Sequence, residues 1–446
     1  MAKRHLQCYI LRIWIKIIAG GTLFFRIASI IHDQKQIQLS DDNYQGNNTA
    51  FTIITGRNAS GKSRLLRKIV SNYIFSDHYD LLEASDVMPA FYSETRPSCV
   101  IAVSTGTRDR FPRPTSKISE SGIEYHYIGA SGSKRDQADV TTLSSSFLQV
   151  IKNLADDDRH SIELASAFEM LGYRSSFNLT IAEGFELRRE REKRRLNKTA
   201  PDFSFDMPMK EVDKIYRAFK AKPSSPLTLS LDILSGAPPA IRHVLPLIIE
   251  LVESGLLRVL DTELYSLRSK NKHKFSDASS GQQCMIQMLI GLAASMRHHA
   301  LICIDEPEIS LHPEWQTKVI NLLQEIFKSY EGCHFFIATH SPQVVSGMQA
   351  EAACVINLEN HQVFYPDHYS EKSADFQLSR IFEEPGFRNE FLLRTALKIL
   401  AKLAKNQKLD GLEIQAAKHL EKIKSRLKIN DPVLHLIEQI QVLNEK

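Results

Sequence analysis

The sequence lacks a long apolar run, which argues against an ordinary membrane-spanning helix. The segment from Tyr9 to Ile31 is rich in isoleucine, leucine and phenylalanine, but Arg12, Lys16 and Arg26 interrupt it. Its longest uncharged piece, Ile17 to Phe25, is far shorter than the roughly 20 apolar residues that a bilayer requires. The pattern also lacks the small-residue cleavage site of a signal peptide. We interpret the segment as buried strands and expect no membrane partner; a short amphipathic membrane contact is the alternative.

Cysteine and net charge are also scarce. The six cysteines, at positions 8, 99, 284, 303, 333 and 354, form no CxxC pair, so the sequence indicates no zinc clip of that kind. Dispersed thiols favour a reducing compartment, and we expect a cytoplasmic protein. A formal net charge of +4 is too small to indicate nucleic-acid binding by itself. What remains is an ordinary globular composition in 446 residues, a length that predicts two or three lobes.

A glycine-rich loop stands between a predicted strand and a predicted helix. The strand is the β-branched and aromatic run Phe51 to Ile54, and the helix begins near Lys62 with apolar residues at helical spacing. The loop reads Gly56-Arg57-Asn58-Ala59-Ser60-Gly61-Lys62-Ser63 and fits the pattern G-x-x-x-x-G-K-[ST]. In this context backbone N–H groups and the helix N-terminus bind phosphates, Lys62 reaches the β- and γ-phosphates, and Ser63 ligates Mg²⁺. The sequence therefore predicts ATP and Mg²⁺ as ligands.

Two carboxylates end another apolar run, Ala300 to Ile304, which predicts a buried strand with Cys303 in the core. A strand ending in Asp-Glu is the usual partner of a phosphate-binding loop. We expect Asp305 to hold Mg²⁺ through water and Glu306 to polarise the attacking water. The alternative, a surface carboxylate pair after a core strand, is weakened by the loop that precedes it.

A third pattern lies just before an apolar helix that begins near Met285. It contains Ser279, Gly281 and Gln282, and here the sequence resembles the ABC ATPase superfamily, whose signature is Leu-Ser-Gly-Gly-Gln. Ala278 replaces the leucine and Ser280 the first glycine. The resemblance implies that these residues cover the γ-phosphate of ATP held by a second subunit. Taken alone, Ser279 is also explained as an ordinary helix N-cap.

Further elements follow from the same resemblance. Thr339-His340-Ser341-Pro342 comes directly after the predicted strand Phe335 to Ala338, and the resemblance implies that His340 senses the γ-phosphate. The run from Ser310 to Pro313 falls where the family has its D-loop. The family's glutamine after the predicted strand from Cys99 to Val103 is missing. Asp109 and Thr105 are candidates to replace the glutamine, and Phe51 is a candidate to stack on the adenine.

These elements predict an α/β fold, that of an ABC-type P-loop ATPase with a mostly parallel sheet, a helical insertion and a C-terminal helical lobe. We predict four segments. Residues 1–140 form the first part of the ATPase lobe and 141–250 the helical insertion. Residues 251–370 hold the signature, the Asp-Glu strand and His340, and 371–446 form the C-terminal lobe, where apolar and lysine residues at helical spacing provide a possible partner-binding surface.

The run from Glu306 to Pro313 resembles the soluble RecF-like and OLD-like branch of the superfamily. The segment Val100 to Pro112 and the predicted insertion resemble stand-alone anti-phage ATPases such as PtuA of Septu and retron systems or AriA of PARIS. The resemblance implies a homodimer or higher oligomer that closes around ATP and controls a separate effector protein, expected to be a nuclease. After His340 the sequence has no Asp-x-Asp pair, and it shows no HNH signature, so we expect no nuclease in this chain.

The alternative function is a RecF-type DNA-repair ATPase that clamps DNA directly. A basic run could contact nucleic acid, and it comprises Arg188, Arg189, Arg191, Lys193, Arg194 and Arg195. Glu190 and Glu192 interleave with it, so a solvated helix surface is the competing interpretation. The adjacent pair His298-His299 has no companion and is interpreted as helix surface.

Overall fold

The structure is a computed structural model. It describes residues 25–39, 48–75, 91–93, 95–106, 110–113, 122–129, 150, 158–196, 204, 206–268, 272–348, 353–370 and 372–444. The strands are β1 (Ile27–His32), β2 (Lys35–Gln38), β3 (Ala50–Thr55), β4 (Phe91–Ser93), β5 (Cys99–Ser104), β6 (Glu124–Gly129), β7 (Tyr173–Glu183), β8 (Leu227–Asp232), β9 (Leu257–Ser266), β10 (Lys272–Lys274), β11 (Leu301–Asp305), β12 (His334–Ala338), β13 (Ala353–Asn357) and β14 (Gln362–Phe364).

The helices are α1 (Lys62–Ile74), α2 (Asp158–Met170), α3 (Phe185–Leu196), α4 (Asp206–Ala218), α5 (Pro239–Arg242), α6 (Leu245–Glu253), α7 (Ser280–Ser295), α8 (Pro313–Phe327), α9 (Pro342–Ser346), α10 (Pro366–Tyr369), α11 (Ala374–Arg380), α12 (Glu390–Ala404), α13 (Gly411–Ile423) and α14 (Pro432–Asn444). The strands and helices predicted on both sides of the glycine-rich loop, before Asp305 and before His340 are therefore present.

A central sheet has the strand order β14-β13-β3-β12-β11-β5-β6. All neighbours pair in parallel except β14, which is antiparallel to β13. Every residue of β3, β5, β11, β12 and β13 is buried, as expected of strands covered on both faces. The predicted α/β fold with a mostly parallel sheet is confirmed.

Alternate residues of these strands enter two different cores. Phe51 and Ile53 of β3 belong to the larger core with α7 and α8. Ile54 belongs to a second core with the apolar face of α1. Because parallel strands end at the same edge of the sheet, the segments that follow β3, β11 and β12 converge there. The fold thus places the loop at 56–63, the carboxylates at 305–306 and His340 together.

Two antiparallel sheets accompany the central one. The smaller has the order β2-β1-β4 and contributes to the core beside α1. The larger has the order β10-β9-β7-β8. The prediction of a mainly helical insertion at 141–250 missed the strands Tyr173–Glu183 and Leu227–Asp232, although α2 to α6 also lie there. The alternation Phe177-Asn178-Leu179-Thr180-Ile181, whose apolar members are buried, is the strand signal in this segment.

Helices α12 to α14 pack around a core of their own. Its buried members are Leu392, Ala396, Ile399, Leu420, Ile423, Leu427, Val433, Ile437 and Ile440. By contrast, Ile381 and Phe382, just after α11, belong to the main core. Apolar residues of the C-terminal segment that were expected to lie at helical spacing therefore mostly pack on one another.

Two local predictions need correction or restriction. His298 and His299 lie in a turn after α7 and not on a helix surface; His299 has φ +61°. Of the segment Tyr9 to Ile31, residues up to 24 lie outside the described residues, whereas Ile27–His32 is a largely buried strand as predicted.

Candidate functional site

The glycine-rich loop joins β3 to α1. Gly56 has φ +148° and Gly61 φ +101°, and a Cβ on Gly56 would lie 2.7 Å from Ser60 Oγ. Because L side chains rarely adopt such backbone angles, both positions favour glycine. Ala59, with φ +68°, lies in the left-handed region as well. The two glycines of the sequence pattern are therefore required by the sharp turn of the loop before the N-terminus of α1.

Lys62 is buried and folds back over the loop. Its Nζ donates hydrogen bonds to the carbonyl oxygens of Gly56 at 2.8 Å and Arg57 at 3.1 Å. Burial lowers the pKa of Lys62, and the nearby carboxylates of Glu306 and Asp305 oppose that shift. The side chain therefore places one cationic group among the loop carbonyls and the carboxylates at 305–306.

Ser63 and Asp305 meet across the sheet edge. Ser63 Oγ donates to Asp305 Oδ1 at 3.1 Å. Burial raises the pKa of Asp305 to about 6, although the Ser63 hydrogen bond lowers it. A hydroxyl and a carboxylate oxygen are the ligand types that Mg²⁺ takes beside nucleotide phosphates. The donor set therefore fits Mg²⁺, as the sequence predicted.

Glu306, His340 and Lys62 form a chain of polar contacts. His340 Nε2 lies 3.2 Å from Glu306 Oε1, and Lys62 Nζ lies 3.3 Å from His340 Nδ1. The Lys62 ammonium can only donate, so His340 Nδ1 must accept from it. In the neutral ring Nε2 then carries the proton and donates to Glu306. The His340 hydrogen bond lowers the pKa of Glu306 and keeps it in the ionised form. The ionised carboxylate can thus accept a hydrogen bond.

The backbone of Glu306 is fixed from two neighbouring strands. Its N–H donates to the carbonyl of Ala338 at 2.9 Å, and Thr105 Oγ1 donates to its carbonyl oxygen. Glu306 itself has φ +53°, an unusual angle for glutamate. Thr105, a candidate for the missing glutamine, therefore supports the Glu306 backbone, while Asp109 lies outside the described residues.

Glu308 is a site residue to which the sequence analysis gave no role. Its Oε1 accepts hydrogen bonds from His340 N at 2.6 Å and from Thr339 Oγ1 at 2.7 Å. Burial raises the pKa of Glu308, and its Oε2 has no hydrogen-bond partner among the described residues. Glu308 thereby positions the segment that carries His340. Its only signal in the sequence is its place two residues after Glu306.

A cavity of about 400 Å³ opens over these groups. It is lined by Asn58, Ala59, Gly61, Lys62, Ser63, Arg64, Arg110, Glu306 and His340. Arg64 and Arg110 add cationic groups that the sequence analysis did not assign. Arg57 instead pairs with Glu384, with Nε 2.7 Å from Oε1, and its backbone N–H donates to Glu359. An anionic, phosphate-bearing ligand matches the lining.

The signature residues lie apart from that cavity and are satisfied locally. Ser279 caps α7; its Oγ accepts from Gln282 N at 3.3 Å, while Gln282 Oε1 accepts from Ser279 N at 3.1 Å. Ser279 is exposed. A Cβ on Gly281 would lie 2.6 Å from the carbonyl oxygen of Ser310, so the helix start packs closely on the predicted D-loop. The helix-cap interpretation is therefore correct as far as one chain is concerned.

Phe51 was wrongly considered for adenine stacking. The side chain is buried in the main core and stacks on Phe335, with ring centroids 4.7 Å apart and planes at 11°. Because β3 is covered on both faces, none of its side chains reaches a ligand from within the strand.

A family model described as "AAA domain, putative AbiEii toxin, Type IV TA system" matches residues 152–346. The match includes the signature residues, the carboxylates after β11 and His340, but not the glycine-rich loop. A curated relative, named "Retron Vc95 probable ATPase" from Vibrio cholerae serotype O1 biovar El Tor, is 24% identical over 97 residues. That alignment spans 22% of this chain and 18% of the relative.

Solved structures similar to this chain include heads of SMC proteins and a transporter cassette. The Smc head of Pyrococcus furiosus is 12% identical, with 78% of this chain and 97% of that chain covered and a TM-score of 0.31. The SMC head of Thermotoga maritima is 12% identical, with 76% of this chain and 95% of that chain covered and a TM-score of 0.29. A nucleotide-free ATP-binding cassette of an ABC transporter is 14% identical, with 77% of this chain and 90% of that chain covered and a TM-score of 0.28.

Among the described residues, the helices are all too short or too polar to cross a membrane.

Proposed function

We propose that this chain is an ABC-type ATPase that binds ATP with Mg²⁺ and hydrolyses it. The observation that carries the proposal is the meeting of Lys62, Glu306 and His340 at the mouth of one cavity, above a glycine-rich loop. The matches to an AAA-domain family model and to a retron ATPase support ATP hydrolysis in general.

Each residue then has a definite task. The loop N–H groups, the N-terminus of α1 and Lys62 bind the phosphates, and Arg64 and Arg110 add positive potential. Ser63 and Asp305 would hold Mg²⁺, which neutralises charge on the phosphates. Glu306 orients the attacking water and accepts its hydrogen bond. His340, donating to Glu306, holds the carboxylate beside the γ-phosphate.

The first test is phosphate release by the purified full-length chain. We expect release from ATP in the presence of Mg²⁺, and none when Mg²⁺ is removed with a chelator. Parental turnover in a purified, folded Lys62→Ala variant would refute the assignment of the glycine-rich loop as the phosphate site. A folded protein that neither binds nor hydrolyses ATP would overturn the proposal.

We further propose that two copies close around two nucleotides. Ser279, Gly281 and Gln282 would then contact the γ-phosphate bound by the partner copy. The proposal is supported by the exposure of Ser279 and by the position of the α7 N-terminus outside the chain's own cavity, since helix N-termini favour anions. The test is size-exclusion chromatography with light scattering, with and without ATP and Mg²⁺.

The biological role that we propose is anti-phage defence through a separate effector, of the kind in which PtuA and AriA act, with a nuclease as the effector. The name of the retron relative and the toxin–antitoxin description of the family model support it. The C-terminal lobe is the proposed docking region. Phe387, Leu397 and Leu412 are exposed there, and Arg57 of the glycine-rich loop pairs with Glu384, which lies in the same lobe before α12.

The docking proposal is tested with a chain truncated after Gly386. This boundary keeps Ile381 and Phe382, which belong to the main core, and removes the separate core of α12 to α14. We expect ATPase activity to remain and capture of the effector protein, sought as the product of the neighbouring gene, to be lost. A truncated chain that still captures that partner would contradict the proposal.

Direct DNA clamping is the alternative. The basic helix α3 gives it limited support, because Arg191 pairs with Glu183 and Asp213. Arg194 likewise pairs with Glu190 and Asp206. Much of the basic run is thus used within the chain. ATP-dependent, salt-sensitive binding of duplex DNA would favour the clamp over control of an effector.

A further inference from the structure

Two hairpin turns from different sheets meet beside the phosphate loop. His32 and Lys35 face each other at the end of the β1–β2 hairpin, whose turn residues Asp33 and Gln34 have φ +46° and +61°. His361, with φ +58°, lies in the turn between β13 and β14. The two histidines are separated by 329 positions in sequence, so only the fold brings them together.

The turns bring three ligand atoms close together. His32 Nδ1 lies 3.5 Å from His361 Nε2 and 3.6 Å from Asp33 Oδ2. All three atoms lie within 4.8 Å of one another. We propose that His32, Asp33 and His361 form a binding site for a divalent transition-metal ion of the Zn²⁺ class.

The spacing fits a shared ion better than direct hydrogen bonding. Zn²⁺ takes imidazole nitrogen and carboxylate oxygen at about 2.0–2.2 Å, so two tetrahedral ligands stand roughly 3.4 Å apart. An imidazole pair joined by a hydrogen bond would have its nitrogens at about 2.7–3.2 Å, shorter than the 3.5 Å found here. The separations of 3.5 and 3.6 Å therefore leave room for an ion between the side chains.

Exposure and ligand chemistry also fit. The His32 side chain is 12% exposed and that of Asp33 is 79% exposed, so the ligand atoms are anchored on one side and open to solvent on the other. Two imidazoles and one carboxylate suit Zn²⁺ and related ions, whereas Mg²⁺ and Ca²⁺ prefer oxygen ligands. Three protein ligands with water in the fourth position complete a tetrahedron. The Asp33 carboxylate offsets the charge of neighbouring Lys35.

The site adjoins the nucleotide site without sharing its ligands. His32 Nε2, the ring nitrogen not directed at His361, lies 3.2 Å from where a Cβ of Gly61 would stand. Ser63 and Asp305, which fit Mg²⁺, use only oxygen atoms. Because the two sites share no ligand, binding of Zn²⁺ at the hairpins can be measured on the nucleotide-free protein.

The experiment is a Zn²⁺ titration of the chelator-treated full-length protein by calorimetry, without Mg²⁺ or nucleotide. The Asp305→Asn substitution serves as background, so that ions at the phosphate loop do not contribute. We expect about one equivalent bound. His361→Ala should weaken this affinity by at least about 100-fold, since loss of an outer-shell partner alone costs 10–100-fold. His435→Ala, which changes an exposed histidine of α14, is the matched control and should bind as the parent does.

Two further readouts separate ligation from misfolding. Zn²⁺ should raise the Tm of the parent and of His435→Ala but not that of His361→Ala, because an ion bound only by the folded state stabilises it. Asp33→Asn, in an exposed turn, should fold normally and bind more weakly. The proposal is overturned if the parent binds no Zn²⁺, or if His361→Ala and Asp33→Asn bind it as tightly as the parent does.

Discussion

The two halves of the candidate site differ in where their hydrogen bonds go. In the phosphate-loop half they join elements far apart in sequence, as between Ser63 and Asp305 or Lys62 and His340. In the signature half they stay within one helical turn, between Ser279 and Gln282. The first half is thus assembled by the fold of one chain. The hydrogen bonds of the second half are made within the start of α7.

The largest effect is expected from breaking the phosphate-loop half. Lys62→Ala removes the ammonium that lies among the loop carbonyls and the two carboxylates. We expect ATP binding to be weakened severely and hydrolysis to fall by more than about 100-fold, the scale of losing a charge-stabilising group. Fluorescent-nucleotide titration and phosphate release measure the two quantities. Lys68→Ala, an exposed lysine of the same helix, is the control and should behave as the parent does.

Glu306→Gln separates binding from chemistry within the same half. The amide keeps the shape of the side chain and leaves Ser63 and Asp305 in place, but it cannot take a proton from water. We expect ATP affinity to change little and hydrolysis to fall by about 100-fold or more. Chromatography with ATP and Mg²⁺ should then reveal a longer-lived dimer. Hydrolysis at the parental rate would show that Glu306 has no part in the mechanism. Glu325→Gln, which changes an exposed glutamate, is the control and should behave as the parent does.

Ser279→Arg tests whether the signature half serves another copy. Arginine adds bulk and charge at the start of α7, outside the chain's own cavity. We expect ATP binding to be retained while hydrolysis falls by about 100-fold, because closure of the dimer is blocked. Ser276→Arg, at a nearby exposed position, is the control. Loss of ATP binding in Ser279→Arg would show that the residue acts on its own chain.

Mixing Ser279→Arg with Lys62→Ala sharpens this test. A mixed dimer has one composite site with both halves intact, so freely exchanging subunits should regain up to about a quarter of parental activity. Subunit exchange is verified with differently tagged copies. Exchange without any recovered activity would contradict sharing of sites between copies.

The contrast between the halves also explains what the sequence could reveal. The loop at 56–63 was predictable because its strand, glycines and helix are contiguous, and Glu306 and His340 because each follows a buried strand of a parallel sheet. The roles of Glu308 and Arg110 depend on contacts across the sheet edge, which no local pattern encodes. Phe51 was a wrong candidate for adenine stacking because it lies within β3, which is covered on both faces.

The strands missed in the insertion have a different cause. Tyr173–Glu183 carries a clear alternation of apolar and polar residues, but helices precede and follow it, and the spacing of their apolar residues dominated the interpretation. Its position between β8 and β9 depends on pairing across long sequence separations, which periodicity does not specify. The segment was therefore assigned a helical periodicity in place of the alternation of a strand. Its place in the sheet could not be derived from periodicity at all.

The smallest effect concerns Glu308, which holds the backbone of His340. Glu308→Gln keeps an oxygen that can accept from His340 N and Thr339 Oγ1, but these bonds lose their charge assistance. Since a loss of about 1.4 kcal/mol corresponds to a tenfold change in rate, we expect hydrolysis to fall about tenfold with little change in ATP affinity. Glu308→Ala, which removes the acceptor, should be slower again.

Stability distinguishes this positioning role from a merely structural one. Burial raises the pKa of Glu308, so the ionised carboxylate is costly where it stands, and the neutral amide relieves that cost. We therefore expect Glu308→Gln to unfold at a Tm no lower than that of the parent although it hydrolyses ATP more slowly. A lower Tm with an unchanged rate would mean that Glu308 supports the fold and not His340. A graded loss of rate from parent to Gln to Ala, without a parallel loss of Tm in Gln, would assign Glu308 to the geometry of the site.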